Sequence, residues 1–216
     1  MGFLAIKLMK YPRTYHLPWS EGATADDKII KDISHLIGKT AVVTEKLDGE
    51  NTSLYCNKTH ARSVDSAHHP SRSFVKQRWA EISYKIPIHL QIVVENMYAK
   101  HSIFYDKLTD FLYGICVIEN DSIVMGWEDT IKCFNQVGIE PVPTLYYGIL
   151  TEEVINNLKQ ANFESAFGEE IEGYVIRSID QFSIADHKQN VLKYVRKNHV
   201  QTNTHWTKTW IPNKLL

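Results

Sequence analysis

The sequence predicts a single α+β domain, residues 1–216, with antiparallel sheets flanked by helices. Three observations carry that expectation. Short β-branched runs and amphipathic helical patterns are mixed without a regular βαβ alternation. No internal repeat, low-complexity tract or Pro/Gly/Ser linker divides the chain. Apolar residues make up 44%, aromatic residues 11% and charged residues 23%, which suits a packed core and argues against disorder.

Taken in order, residues 1–25 read as an irregular N-terminal segment, rich in aromatics and proline between Tyr11 and Ser20. Asp26–Ile37 predicts a helix. Its Ile29, Ile30, Ile33, Leu36 and Ile37 form one apolar stripe, Thr24 can cap it and Gly38 can stop it. Thr40–Lys46 and Thr52–Cys56 predict two strands around the turn Asp48-Gly49-Glu50-Asn51. Ser73–Ile82 predicts a helix, and Leu90–Glu95 and Phe111–Ile118 predict short buried strands. Trp127–Val137 and Glu152–Ala161 predict helices, and Glu172–Ser178 and Val191–Val195 predict strands. Residues 198–216 form a basic tail.

Several functions are excluded by what the sequence lacks. No apolar run approaches the roughly 20 residues that span a bilayer. The N-terminus lacks the pattern of a signal peptide, so a cytoplasmic protein is expected, with Cys56, Cys116 and Cys133 as reduced thiols. No CxxC, GxGxxG or GxSxG occurs. Gly38-Lys39-Thr40 resembles the end of a P-loop, but Ile33 stands where the first glycine belongs. His60, His68 and His69 do not read as a metal site, because adjacent histidines on a strand point to opposite faces. The net charge is −1, yet the bases are clustered. Lys58–Arg78 holds five bases against Asp65, and His187–Leu216 holds six with no acid. Two such segments brought together could follow a phosphate backbone.

The chemistry gathers at strand ends. In Thr44-Glu45-Lys46-Leu47-Asp48-Gly49, Lys46 closes a strand and a tight turn follows. A lysine at the rim of a sheet is partly desolvated and can act as a nucleophile. Val93-Val94-Glu95-Asn96 sets a carboxylate at the end of a second strand. Glu170-Ile171-Glu172-Gly173-Tyr174-Val175-Ile176-Arg177 sets another at the mouth of a third. Val191-Leu192-Lys193 sets a cation inside a fourth. A nucleophilic lysine, two carboxylates for a hydrated Mg²⁺ and further cations suit attack on an α-phosphate.

In this order and spacing, over roughly Thr40 to Lys197, the elements resemble the nucleotidyltransferase superfamily of ATP-dependent ligases and mRNA-capping enzymes. Glu45 before the lysine, the Glu-Gly-Tyr-Val-Ile-Arg stretch and the run Glu-Asn-Met-Tyr-Ala-Lys-His-Ser-Ile at 95–103 resemble its RNA-ligase-2-like family of ATP-dependent RNA ligases. The resemblance implies an ATP-grasp-like adenylation fold. It implies that Lys46 carries AMP as a phosphoramidate, and that Asp48 and Gly49 shape its turn with Asp48 near the ribose. It implies that Glu45 helps hold the nucleotide and that Arg62 contacts phosphate and ribose. It implies that Glu95 binds ribose or the water shell of the metal, that Glu172 orients metal-bound water, and that Lys193 contacts the α-phosphate. The resemblance further implies that adenine stacks on an aromatic in Phe111–Val117, for which Tyr113 is the candidate.

ATP and Mg²⁺, with Mn²⁺ as a substitute, are the implied cofactors. RNA with 5′-phosphate and 3′-hydroxyl ends is the implied partner, joined through lysyl-AMP and an adenylylated end. Two departures stand out. The family's second lysine, two positions after Lys193, is Val195 here, with Arg196 and Lys197 beyond it as replacements. The stretch after Lys193 is too short for an OB-fold, so none is expected, and a protein partner could stand in for a C-terminal domain. The alternatives are a DNA nick ligase, a guanylyltransferase, an enzyme that only activates ends, and an inactive nucleic-acid-end binding protein.

Overall fold

The computed structural model describes residues 8–66, 68–197 and 210–216. The chain opens with β1 (Tyr15–His16), β2 (Thr40–Lys46), β3 (Glu50–Leu54) and β4 (Thr59–Ala61). Helix α1 (Ser73–Ile82) leads to β5 (Leu90–Asn96), β6 (Leu112–Glu119) and β7 (Ile123–Val124). Helix α2 (Trp127–Val137) is followed by β8 (Glu140–Pro141), β9 (Thr144–Ile149) and α3 (Glu152–Gln160). The last elements are β10 (Gly173–Ser178), β11 (Phe182–Ser183), α4 (His187–Asn190) and β12 (Val191–Val195).

Two sheets result. The first has the order β1-β12-β10-β2-β9, antiparallel except for the β1–β12 pair. The second has the order β11-β7-β6-β5-β3-β4, with β8 added parallel to β6. β2 lies inside the first sheet, between β10 and β9, because Ala41, Val42 and Val43 are apolar on both faces, and all three are buried. Helices α1 and α2 cover the second sheet through Val75, Ile82, Cys133, Phe134 and Val137, which pack on Leu54, Ile92 and Leu112. Helix α3 covers the first sheet through Ile155 and Leu158. The inner faces meet each other: Val42 shares a cluster with Tyr113, and Val191 shares another with Val93, Cys116 and Ile118. The α+β, antiparallel expectation is met. Among the described residues no helix is long and apolar enough to cross a membrane.

The segment 26–37 departs from its predicted helix. It contains a single 3-10 turn, Ser34–Leu36. The backbone N–H and hydroxyl of Thr24 both donate to Asp27 Oδ2, so the expected cap closes a local turn instead. The His16 N–H donates to the Lys28 carbonyl and the Ile30 N–H to the His16 carbonyl, which draws the segment along β1. Ile33 and Leu36 still reach the core. Backbone partners on β1 and a run of β-branched isoleucines outweigh the helical period. β9 is absent from the sequence expectations because it is an edge strand whose large apolar residues Tyr147 and Ile149, two apart on one face, are exposed and so give no buried pattern.

The C-terminal residues 210–216 are packed against the body. Asn213 is buried, donates to the Met97 carbonyl and accepts from the Tyr105 N–H. Trp210 lies beside Tyr98, with ring centroids 5.7 Å apart. Trp206 and the rest of 198–209, including most of the basic tail, lie outside the described residues.

Candidate active site

A cavity of about 670 Å³ opens between the two sheets. That is within the size range of small-molecule sites. Lys46, Glu45, Gly49, Arg62, Glu95 and Lys193 all line it. β2 delivers Lys46 at its last position, and the β2–β10 register sets Gly173 opposite Lys46, so Glu172 falls at the strand mouth beside it. Lys46 Nζ donates to Glu172 Oε2 at 2.7 Å. A Cβ on Gly173 would stand 2.0 Å from the Tyr194 carbonyl oxygen, so only glycine lets β10 and β12 close beside the lysine.

The turn after Lys46 is seated on β5. The Gly49 N–H donates to Glu95 Oε1 at 3.2 Å. A Cβ on Gly49 would meet Met97 Sδ at 2.6 Å and the Asn96 carbonyl oxygen at 2.7 Å. Asp48 Oδ2 accepts the backbone N–H groups of Ser102 and Ile103, at 2.7 and 2.9 Å. The observed work of Asp48 is therefore to tie the turn to the loop after β5.

Charges at the site are strongly coupled. Burial pushes Glu95 up to about 8, with Lys46 opposing. Burial likewise pushes Glu172 up to about 7, again against Lys46. Burial alone would lower Lys46, but Glu172, Glu95 and Asp48 outweigh it and hold the ammonium above its ordinary value. Lys193 is lowered by burial first and by repulsion from Lys46 second. Glu45 is raised by burial while its oxygens accept from the Ser165 hydroxyl and the Ala166 N–H, at 2.6 and 2.9 Å. It anchors the loop before β10 from the cavity wall.

Two sequence expectations are corrected. Tyr113 is fully buried and offers no face to a base. Its hydroxyl accepts the N–H groups of Thr109 and Asp110, and its ring packs on Phe167 with centroids 4.7 Å apart. A register shift between Val93 and Val94 makes Ile115 the extra residue of a bulge, and Ile115 lines the cavity instead. A bulge of this kind leaves no sequence mark. Tyr113→Phe is expected to cost about 1–3 kcal/mol, the usual price of unpaired buried donors, and so to lower Tm by several degrees. It should leave nucleotide binding unchanged; calorimetry and ATP titration check both.

Lys197 is exposed and lies off the cavity. Its neighbour Arg196 donates to the Ile171 carbonyl at 2.7 Å, pairs with Glu170 and does not line the cavity. Val195 is bonded through its backbone to Ser20 and Gly22 inside the sheet. No cation after Lys193 therefore reaches the cavity among the described residues.

Other wall residues were missed. Arg13, from the N-terminal segment, lines the cavity near Lys193 and lies 3.5 Å from Asp27 Oδ1. Nothing in the local sequence links it to Lys46 on β2 or to Lys193 on β12. Arg177 is buried with no carboxylate partner among the described residues. It donates to the Ile115 and Met125 carbonyls and lies 5.3 Å from the Trp127 ring centroid. Its place at the end of the Glu172–Arg177 stretch was the available signal. Ile115, Val142, Val175 and Trp127 line the same cavity and give it an apolar stretch of wall beside Arg177.

The donor set fits a hard divalent cation. Glu95 and Glu172 are oxygen donors whose ionisation burial opposes, and a dication would relieve that. No group of three metal-ligating side chains occurs among the described residues.

A family model described as RNA ligase matches residues 39–195. No curated protein matches the chain. Among solved structures, the fold is similar to Naegleria gruberi RNA ligase with PPi, at 18% identity and TM-score 0.57, over 76% of this chain and 51% of that one. It is similar to an archaeal ATP-dependent RNA ligase at 16% identity and TM-score 0.57, over 88% of this chain and 48% of that one. It is also similar to a mutant of the Naegleria gruberi enzyme with ATP and Mn, at 17% identity and TM-score 0.54, over 76% and 52%. The chain spans about half the length of the proteins it matches.

Proposed function

This chain belongs to the RNA ligase family, and from that membership we propose that it is an ATP-dependent ligase acting on RNA ends through Lys46. The observation that carries the reading is the Lys46–Glu172 contact of 2.7 Å at the mouth of a cavity large enough for a nucleotide, with Glu95 lining the same wall.

Lys46 Nζ attacks the α-phosphorus of ATP, a P–N bond forms, and pyrophosphate leaves as the P–O bond breaks. A 5′-phosphate end then takes the AMP from the lysine, and a 3′-hydroxyl displaces AMP to leave a phosphodiester. The apolar stretch of wall holds the base, and Lys193, Arg62 and Arg13, which line the same cavity, receive the phosphates. Arg13 takes the part expected of Lys197. Bound Mg²⁺ supplies charge neutralisation for the phosphates and for Glu95 and Glu172.

Lys46 must lose a proton before it attacks, and the carboxylates that clamp it oppose this. At pH 6, Glu95 and Glu172 are largely protonated and are poor partners for a cation. The rate of lysyl-AMP formation is therefore expected to rise with pH, at least about tenfold per unit below pH 7, and to keep rising less steeply above about pH 8, where the carboxylates are ionised but the amine is still mostly protonated. A pH series of label incorporation from ATP checks this. Stability moves the other way. Both carboxyls bind protons more tightly folded than unfolded, so between their ordinary 4.5 and about 8 the unliganded protein loses stability as pH rises. The ligase reading itself is tested by sealing of a nicked RNA duplex, 5′-phosphate beside 3′-hydroxyl, with ATP and Mg²⁺. Stable RNA binding with neither covalent AMP nor sealing would favour an end-binding protein.

A further inference from the structure

A second, smaller cavity of about 170 Å³ lies between the β3–β4 hairpin and α1. At roughly 30 Å³ per water it holds five or six water volumes, which suits a sugar or a phosphate group more than a whole nucleotide. Lys58, His60, His68, Arg72 and Lys76 line it, and no carboxylate does. Lys58 and Lys76 are exposed and make no ion pair among the described residues. Arg72 is paired with Glu50 and lines both this cavity and the main one.

His60 is the residue out of place. It is 7% exposed, and its ring is stacked on Tyr55 at 5.7 Å. Nδ1 lies 2.6 Å from the Ala61 carbonyl oxygen. A carbonyl can only accept, so Nδ1 carries the hydrogen, and in the neutral ring Nε2 presents a lone pair. That Nε2 is buried and has no partner among the described residues. A bare phosphate would not satisfy it, since phosphate oxygens are themselves acceptors. A hydroxyl beside a phosphate satisfies the whole cavity: the hydroxyl donates to Nε2 while the phosphate accepts from Lys58 and Lys76. RNA carries that pair of groups on every residue, and DNA lacks the hydroxyl.

The position agrees. Glu50 and Arg62 line the main cavity, while Thr52 and His60, two residues along the same paired strands, line the second. Two residues of strand span about 7 Å, or about two base steps of a duplex axis.

We propose that this cavity is a sugar–phosphate subsite in which His60 reads the 2′-hydroxyl of an RNA strand whose end lies at Lys46. The proposal rests on the ligase reading for its substrate. It makes His60 a specificity-determining residue for RNA over DNA.

The test is binding, without ATP, of the full chain to a fluorescent nicked RNA duplex by anisotropy. Each residue flanking the nick is replaced singly by its 2′-deoxy or 2′-fluoro form. The 2′-fluoro form keeps an electronegative 2′ substituent but cannot donate. The wild type is expected to lose about tenfold in affinity at one or two adjacent positions with either form. His60→Phe keeps a stacked ring, and should bind the all-RNA duplex about tenfold more weakly and be indifferent at those positions. Lys58→Ala should weaken every strand alike and reduce the salt slope by about one. A wild type with no sensitive 2′ position would overturn the proposal, and this arm needs no variant to fold. So would a His60→Phe protein that keeps the full penalty. Covalent AMP formation is read separately. Its absence beside an intact 2′ penalty would sink the ligase reading and leave the subsite standing; sealing without any 2′ penalty would do the reverse.

Discussion

Lys46→Ala is expected to abolish covalent attachment of AMP and to slow sealing by at least about a thousandfold, as loss of a nucleophile does elsewhere. No neighbour can take over. Lys193 lies on β12, separated from β2 by β10, and two strand spacings amount to roughly 10 Å. Arg13, Arg62 and Arg177 are guanidinium groups, which stay protonated and are not nucleophiles at working pH. The substitution also strips Glu172 of its ammonium partner at 2.7 Å. The cost should depend on pH. Near pH 6 the orphaned carboxyls take up protons and the change in stability is small. Near pH 9 the wild type holds them ionised against the ammonium; without it they must ionise unpaired or keep protons that water would take, and a loss of up to about 3 kcal/mol is expected, the scale of a broken buried ion pair. Thermal unfolding of both proteins at the two pH values checks it.

Glu172→Gln separates charge from shape and should be nearly as severe. The amide fills the same space at the mouth of β10 but removes the negative charge nearest the amine. Lysyl-AMP formation is expected to fall by about a hundredfold or more, on the scale of losing a preorganised charge in a closed site. The same change removes the largest force holding the Lys46 ammonium, while burial continues to oppose it. The amine should therefore titrate at lower pH than in the wild type, which a pH series resolves. A variant whose rate drops with no change in the pH profile would make Glu172 a metal partner without influence on the lysine. An unchanged rate would remove it from the site altogether.

The parts of this site that were legible are those written in short strings on strands. Lys46, Glu95, Glu172 and Lys193 each end or interrupt an apolar β-branched run, so both their existence and their position at a sheet rim follow from local pattern. The strands themselves were legible for the same reason; β2, β12, α1 and α2 have the bounds their patterns predict. The rest depends on contacts that no local pattern encodes. Residues 26–37 have a helical period but find backbone partners on β1. The bulge at Ile115 shifts which residue of β6 meets the cavity, which is why Tyr113 is buried in the core. Lys197 has the right charge and falls outside the cavity, while Arg13, far earlier in the chain, lies in its wall. His60 showed a residue type that binds many things, and only its carbonyl bond and buried Nε2 define what it lacks.

The measurement closest to the central claim is peptide mapping by mass spectrometry after incubation with ATP and Mg²⁺. The account predicts AMP on the peptide containing Lys46, removed when pyrophosphate is added. Folded protein, free of prior modification, that carries no AMP, or carries it on another residue, would contradict the account.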